Sequence, residues 1–136
     1  WLIVKNNEET VFSIEAVYEE LTNSTDSLST WAKSNKDNFF LPPNPPMLSV
    51  FPQVSQWAMD PNNQYTNGAR EEFLDVADYF LVCYALANNM TLVTHERLAA
   101  NITKRIKIPN VCVDFQIPYM GPFEMLRQEQ ASFILG

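Results

Sequence analysis

Glycine is scarce in this chain, three in 136 residues, and histidine is scarcer still, with His95 alone. Three glycines cannot furnish a glycine-rich phosphate cradle. A serine or cysteine triad would have to rest on His95 as its base. No Cys-x-x-Cys, His-Glu-x-x-His, Gly-x-Ser-x-Gly or P-loop occurs, which removes the motif-borne metal, hydrolase and nucleotide chemistries. No run of 18 apolar residues is present, so no membrane span is expected. A basic segment leading into an apolar stretch and a small-residue cleavage site is missing too, so no secretory signal is read. Basic charge is also short: nine Lys and Arg face sixteen Asp and Glu, for a net charge of -7. A domain that held duplex nucleic acid by phosphate contacts alone would carry the opposite balance. The acidity fits carboxylates grouped around a divalent metal, whose charge reverses the local potential, but charge alone favours the ordinary surface of a soluble cytosolic protein. Only Cys83 and Cys112 carry thiols, each inside an apolar segment. They read as buried free thiols of a reducing compartment, which makes the expected location cytoplasmic.

What remains is 46% hydrophobic, enough for one domain over residues 1–136 with a single core. Trp1-Leu2-Ile3-Val4 opens abruptly, without an initiator methionine, and reads as the end of a helix or as a short strand. Asn6 to Glu9 reads as a turn, Thr10-Val11-Phe12 as a strand, and Ser13 as the N-cap of a helix. Ile14, Val17, Tyr18 and Leu21 give that helix one buried face. A second helix starts near Asp26. Pro42-Pro43-Asn44-Pro45-Pro46 predicts a stiff extended connector; a structural loop and a docking segment are both open readings. Leu48 to Met59 returns to the core, and the polar stretch to Gly68 reads as a surface loop.

From Glu71 the pattern predicts one long helix, nearly apolar after Tyr79 and closed at Asn88-Asn89. Met90 to Val93 then reads as a buried parallel strand ending at Thr94-His95-Glu96, the edge where ligands bind in such sheets. Tyr119-Met120 is expected as a last strand, and Gly121-Pro122 as the start of a last helix with Phe123, Leu126, Phe133 and Ile134 turned inward. The whole is an α/β pattern.

Asp78 stands where the sequence turns most strongly apolar, with Asp75 three positions earlier on the same expected helical face. It is either a cap-like surface group or a carboxylate kept for binding. Clustered carboxylates suit magnesium or manganese and repel one another without a cation. His95 has three open readings: a metal ligand, a phosphate contact or an exposed side chain. Lys104, Arg105 and Lys107 form the densest basic cluster, either a backbone-binding patch or a solvated loop.

Val17-Tyr18-Glu19-Glu20-Leu21, Ala77 to Leu86 and Leu92-Val93-Thr94-His95-Glu96 resemble, in that order, motifs of the PIN domain, the fold of VapC-type toxin ribonucleases. Ile106 to Cys112 and Phe123 to Arg127 resemble an uncharacterised bacterial branch of PIN-like proteins. The resemblance implies a three-layer α/β/α sandwich with a central, mainly parallel sheet. It implies a metal-dependent endoribonuclease acting on single-stranded RNA, with Mg2+ or Mn2+ as cofactor. Carried over one at a time, the family acids fall on Glu20, Asp78 and Glu96, with Thr94 as the orienting hydroxyl and Asp75 and Glu19 as secondary acids. His95, Lys104, Arg105 and Lys107 are the expected substrate contacts. A toxin of this kind implies an antitoxin protein, and homodimers are common in the family. PIN domains usually open on a strand ending in a metal-anchoring aspartate; the first aspartate here is Asp26, in the wrong context. The expectation is a chain lacking its natural N-terminus, with one sheet position unfilled. The rival expectation is a non-catalytic PIN-like interaction domain whose acidic site is incomplete.

Overall fold

A computed structural model describes residues 1–134. Helix α1 (Leu2–Asn7) is followed by β1 (Ser13–Ile14), α2 (Glu15–Leu21), α3 (Ser27–Ser34), α4 (Lys36–Phe39) and β2 (Phe40–Leu41). Next come α5 (Pro45–Met59), α6 (Asn67–Asp75), α7 (Ala77–Asn88), β3 (Leu92–Val93), α8 (Ile108–Phe115), β4 (Tyr119–Met120) and α9 (Pro122–Gln128). The chain is therefore a mixed α/β fold in which helices hold more than half of the described residues. Its strands form two separate two-stranded parallel sheets, β1 with β2 and β3 with β4.

Several expectations give way to local chemistry. The chain opens in a helix, so Asn6 and Asn7 are helical and only Glu8-Glu9 turn. Asn6 is buried and donates through Nδ2 to the Val11 carbonyl at 3.0 Å, which binds the next segment as a loop rather than a strand. The strand falls instead on Ser13–Ile14, so Ser13 is not the N-cap; Ile14 is. Helix α3 does start beside Asp26, which caps it by accepting from the Ser29 amide at 2.8 Å. The proline connector is shorter than expected. Pro45 and Pro46 form the first turn of α5, where no amide hydrogen is needed, and Asn44 caps it by accepting from the Met47 amide at 3.0 Å. Asn44 also donates to Asn88 Oδ1 at 2.9 Å, which pins the connector to the end of α7. The polar stretch before Gly68 is not all loop, because Thr66 caps α6 and Tyr65 is buried. Pro109 lies in the first turn of α8, where no amide hydrogen is needed.

The largest departure is at Val76. The long helix expected from Glu71 is two helices, α6 and α7, separated by this one extended residue (φ -115°, ψ 167°). A β-branched side chain is at ease there. Asn89, in the left-handed region at φ 53°, ends α7 as expected.

Helix α7 is the spine of the core. Val82 and Cys83 on it are fully buried and pack with Val54 and Ala58 of α5 and with Val111 and Cys112 of α8. A smaller core gathers Ala32, Phe39 and Phe40 with Tyr18 and Trp31 around them. Phe123, Phe133 and Ile134 do not pack inward; they are exposed, at 76%, 69% and 91%. Among the described residues no helix is long and apolar enough to cross a membrane.

Both cysteines are free and buried, and burial pushes their thiols up, Cys83 to about 12 and Cys112 to about 11. Since the thiolate is the nucleophile, a disulfide reagent at pH 8 is expected to label the native chain about a hundredfold slower than the urea-unfolded chain. A spectroscopic thiol titration checks this, and equal rates would show that the core admits the reagent. Because the folded state holds these protons more tightly, stability is expected to fall as pH rises past the thiol range of the unfolded chain.

Candidate acidic cleft

Where α6 gives way to α7, the surface holds a cleft of about 180 Å³ walled by Glu20, Glu72, Phe73, Val76, Asp78 and Arg105. The break at Val76 shapes it. With Val76 as N-cap, α7 begins without a side-chain oxygen from its own cap residue to accept its first amides. Glu20, from α2, supplies one: its Oε1 accepts from the Ala77 amide at 2.9 Å. Asp78 occupies the first turn of α7, where the helix dipole favours negative charge.

Burial holds the Asp78 carboxyl above its ordinary range, and the charges of Glu96, Glu20 and Glu72 push it the same way, while Arg105 draws it back. Glu96 reaches this neighbourhood from beyond β3. Thr94, buried at the strand end, donates its amide to Met120 at 3.0 Å, and its Oγ1 accepts from the Glu96 amide at 3.1 Å. The hydroxyl thus sets the turn that carries Glu96. The Glu96 side chain is only 10% exposed and pairs with Arg105, Oε2 to Nη2, at 3.6 Å. Asn110 steadies the intervening loop, donating to the Ala99 carbonyl at 2.9 Å and accepting from the Ala99 amide at 3.2 Å.

Glu20, Asp78 and Glu96 therefore come to one neighbourhood from three elements, and Thr94 has a positioning contact. Asp75 does not share the expected face with Asp78. The break turns it, exposed, toward a second hollow on the other side of Val76, beside Glu19 and Asn23. Of the expected substrate contacts, Arg105 lines the cleft, whereas His95 and Lys104 are exposed and Lys107 is the N-cap of α8. Glu72 was not among the expected site residues. On one continuous helix it would face well away from Asp78, and the single extended residue at Val76 is what brings it alongside.

The donor set is all oxygen, of the kind magnesium or manganese takes, and its mutual repulsion is of the kind a cation relieves. The residues fit such an ion in chemistry and charge. As placed, no group of three or more His, Cys, Asp or Glu among the described residues stands close enough to hold an ion directly. Glu20 is engaged by an amide and Glu96 by a guanidinium. Contact through water suits magnesium, which keeps several of its own.

No curated protein and no solved structure matches the chain. Residues 1–133 match the family described as a domain of unknown function, DUF4411, and the chain belongs to it.

Proposed function

We propose that this chain is a PIN-like, metal-dependent endoribonuclease that hydrolyses single-stranded RNA in the acidic cleft, on a three-layer α/β/α plan. The reading is carried by one observation: the carboxyl of Asp78 is held high by burial and by three neighbouring carboxylates from separate elements. Asp78, Glu20 and Glu72 also wall one cleft, and carboxylates gathered in a cleft in this way are candidates for function. Asp78 and Glu96 would hold Mg2+ or Mn2+, with Glu20 in support. Bound there, the metal supplies an activated water and neutralises phosphodiester charge.

The protein's own groups do the rest. Glu20 fixes the start of α7 and so the position of Asp78. Thr94 fixes the turn before Glu96. Arg105 is half exposed beside Glu96 and would be available to a substrate phosphate if Glu96 held a cation instead, since a guanidinium binds either oxyanion. Buried free thiols suit a reducing, cytoplasmic setting. An antitoxin covering the cleft belongs to the same reading.

Cleavage of a labelled single-stranded RNA is expected with Mg2+ or Mn2+, and its loss on chelation. The same experiment addresses the rival, a non-catalytic PIN-like interaction domain, which is favoured by the Arg105–Glu96 pair and by the separation of the acids. Absence of cleavage by the native gene product with either metal, at any substrate length, would overturn the nuclease reading in favour of that rival.

A further inference from the structure

Three acids wall the cleft, Glu20, Glu72 and Asp78, against one base, Arg105. Glu96 makes a fourth carboxylate in the neighbourhood and pairs with that base. The pair is uneven. The Glu96 side chain is 10% exposed and that of Arg105 57%. At 3.6 Å the contact is longer than an N–H···O hydrogen bond, so charge holds it and no directional bond does. Among the described residues none accepts a hydrogen bond from the Arg105 guanidinium, and its N–H donors stay free. The backbone beneath it is held on both sides. Thr66 donates its amide to the Thr103 carbonyl at 3.0 Å, and Ile106 is buried. Arg105 stands between these anchors, so its guanidinium can leave Glu96 by rotation about side-chain bonds while the loop stays in place.

We propose that Arg105 is a displaceable counter-cation of the cleft: it stands at Glu96 in the metal-free chain and is released toward solvent when Mg2+ or Mn2+ loads. Carboxylates brought into one neighbourhood raise one another's energy unless a cation is near. Arg105 supplies that positive charge without committing a hydrogen bond to it. An ion pair with an exposed partner is weak, so Arg105 yields Glu96 to an ion of twice its charge. Two events are thereby coupled. Loading requires a metal concentration that overcomes the Arg105 pair, and loading leaves a free guanidinium at the rim of the cleft. A phosphate oxyanion is a natural partner for that group. The metal-free cleft is thus held together and kept from phosphate by the same contact. This inference rests on the metal reading of the cleft and is independent of RNA cleavage.

Titration with Mn2+, followed by calorimetry, tests it. Arg105→Gln removes the competing charge at an exposed position and is expected to bind Mn2+ about threefold to tenfold more tightly than the wild type, the scale of one ion pair. Arg105→Lys keeps the charge and is expected to stay within about twofold of the wild type. A second measurement follows Arg105 itself in the wild-type chain. Phenylglyoxal labels free guanidinium groups, and saturating Mg2+ is expected to raise the labelling rate of Arg105 by at least about twofold, because coupling between two ligands of one site is reciprocal. Exposed Arg97 is the internal reference, and its rate is expected to stay unchanged. The labelling needs no variant, so an Arg105→Gln chain that failed to fold would not shield the proposal. Equal or weaker Mn2+ affinity in Arg105→Gln, with metal still bound by the wild type, would overturn the counter-cation and leave the metal reading standing. Arg105 would then be a support that holds Glu96 in place. Failure of both chains to bind Mn2+ at millimolar concentration would overturn the counter-cation and the metal reading together.

Discussion

Replacing Asp78 by asparagine is expected to lower metal-dependent RNA cleavage by about a hundredfold or more, the scale on which one group aimed at developing charge contributes. Divalent-metal affinity, followed by calorimetric titration, should fall with it. The fold should survive, because asparagine keeps the shape and the first-turn position in α7. Stability should move the other way. The folded carboxyl is held above its ordinary range, so the folded state binds the Asp78 proton more tightly than the unfolded chain does. Stability then declines as pH rises from the ordinary carboxylate range through the raised folded value. In the variant that decline should be absent, and its urea midpoint at neutral pH should exceed that of the wild type. Unchanged metal affinity together with unchanged cleavage would remove Asp78 from the site.

Phe73→Ala is expected to have the largest effect on stability, about 3–5 kcal/mol, the usual range for a buried phenylalanine. Phe73 is 2% exposed and meets Trp57 and Tyr79 edge-on, at 6.3 and 5.7 Å between ring centroids. It also walls the acidic cleft. A loss of that size is a large fraction of the stability of any small domain, so the variant should be substantially unfolded at 37 °C. Urea unfolding followed by tryptophan fluorescence checks this, since Trp57 reports directly on the cavity. A shift below about 1 kcal/mol would mean that α6 closes over the gap.

The elements that could be read from the sequence are those whose signals are local. The helix start near Asp26, Pro122 at the head of α9, Asn89 at the foot of α7 and the strand at Tyr119-Met120 each depend on one or two residues of decisive backbone preference. The break at Val76 was not legible, because nothing in Leu74-Asp75-Val76-Ala77 stops a helix. The contact that supports it comes from Glu20, far away in the chain. The same long-range origin hid Glu72 and misplaced Asp75. Glu20, Asp78 and Glu96 were legible as separate acids through their motifs. The Arg105 pairing and the amide held by Glu20 depend on the folded path of loops that carry no periodicity. The inward packing expected of Phe123 failed for a related reason: hydrophobicity shows that a residue gains by burial, while only the assembled helices determine whether a surface is there to receive it.

The hydrogen bond from Ala77 to Glu20 spans 57 positions of the chain, and the entropy of closing so long a loop is met only when both ends are otherwise held in place. The geometry of the acidic cleft accordingly depends on α2 and α7 both being docked on the core. During synthesis the nascent chain carries Glu20 well before Asp78 or Glu96 exists, and their carboxylates can come together only once the chain as far as Glu96 has left the ribosome. The cleft's concentrated negative charge, and whatever that charge binds, is thus a property of the assembled domain and of no single segment of it.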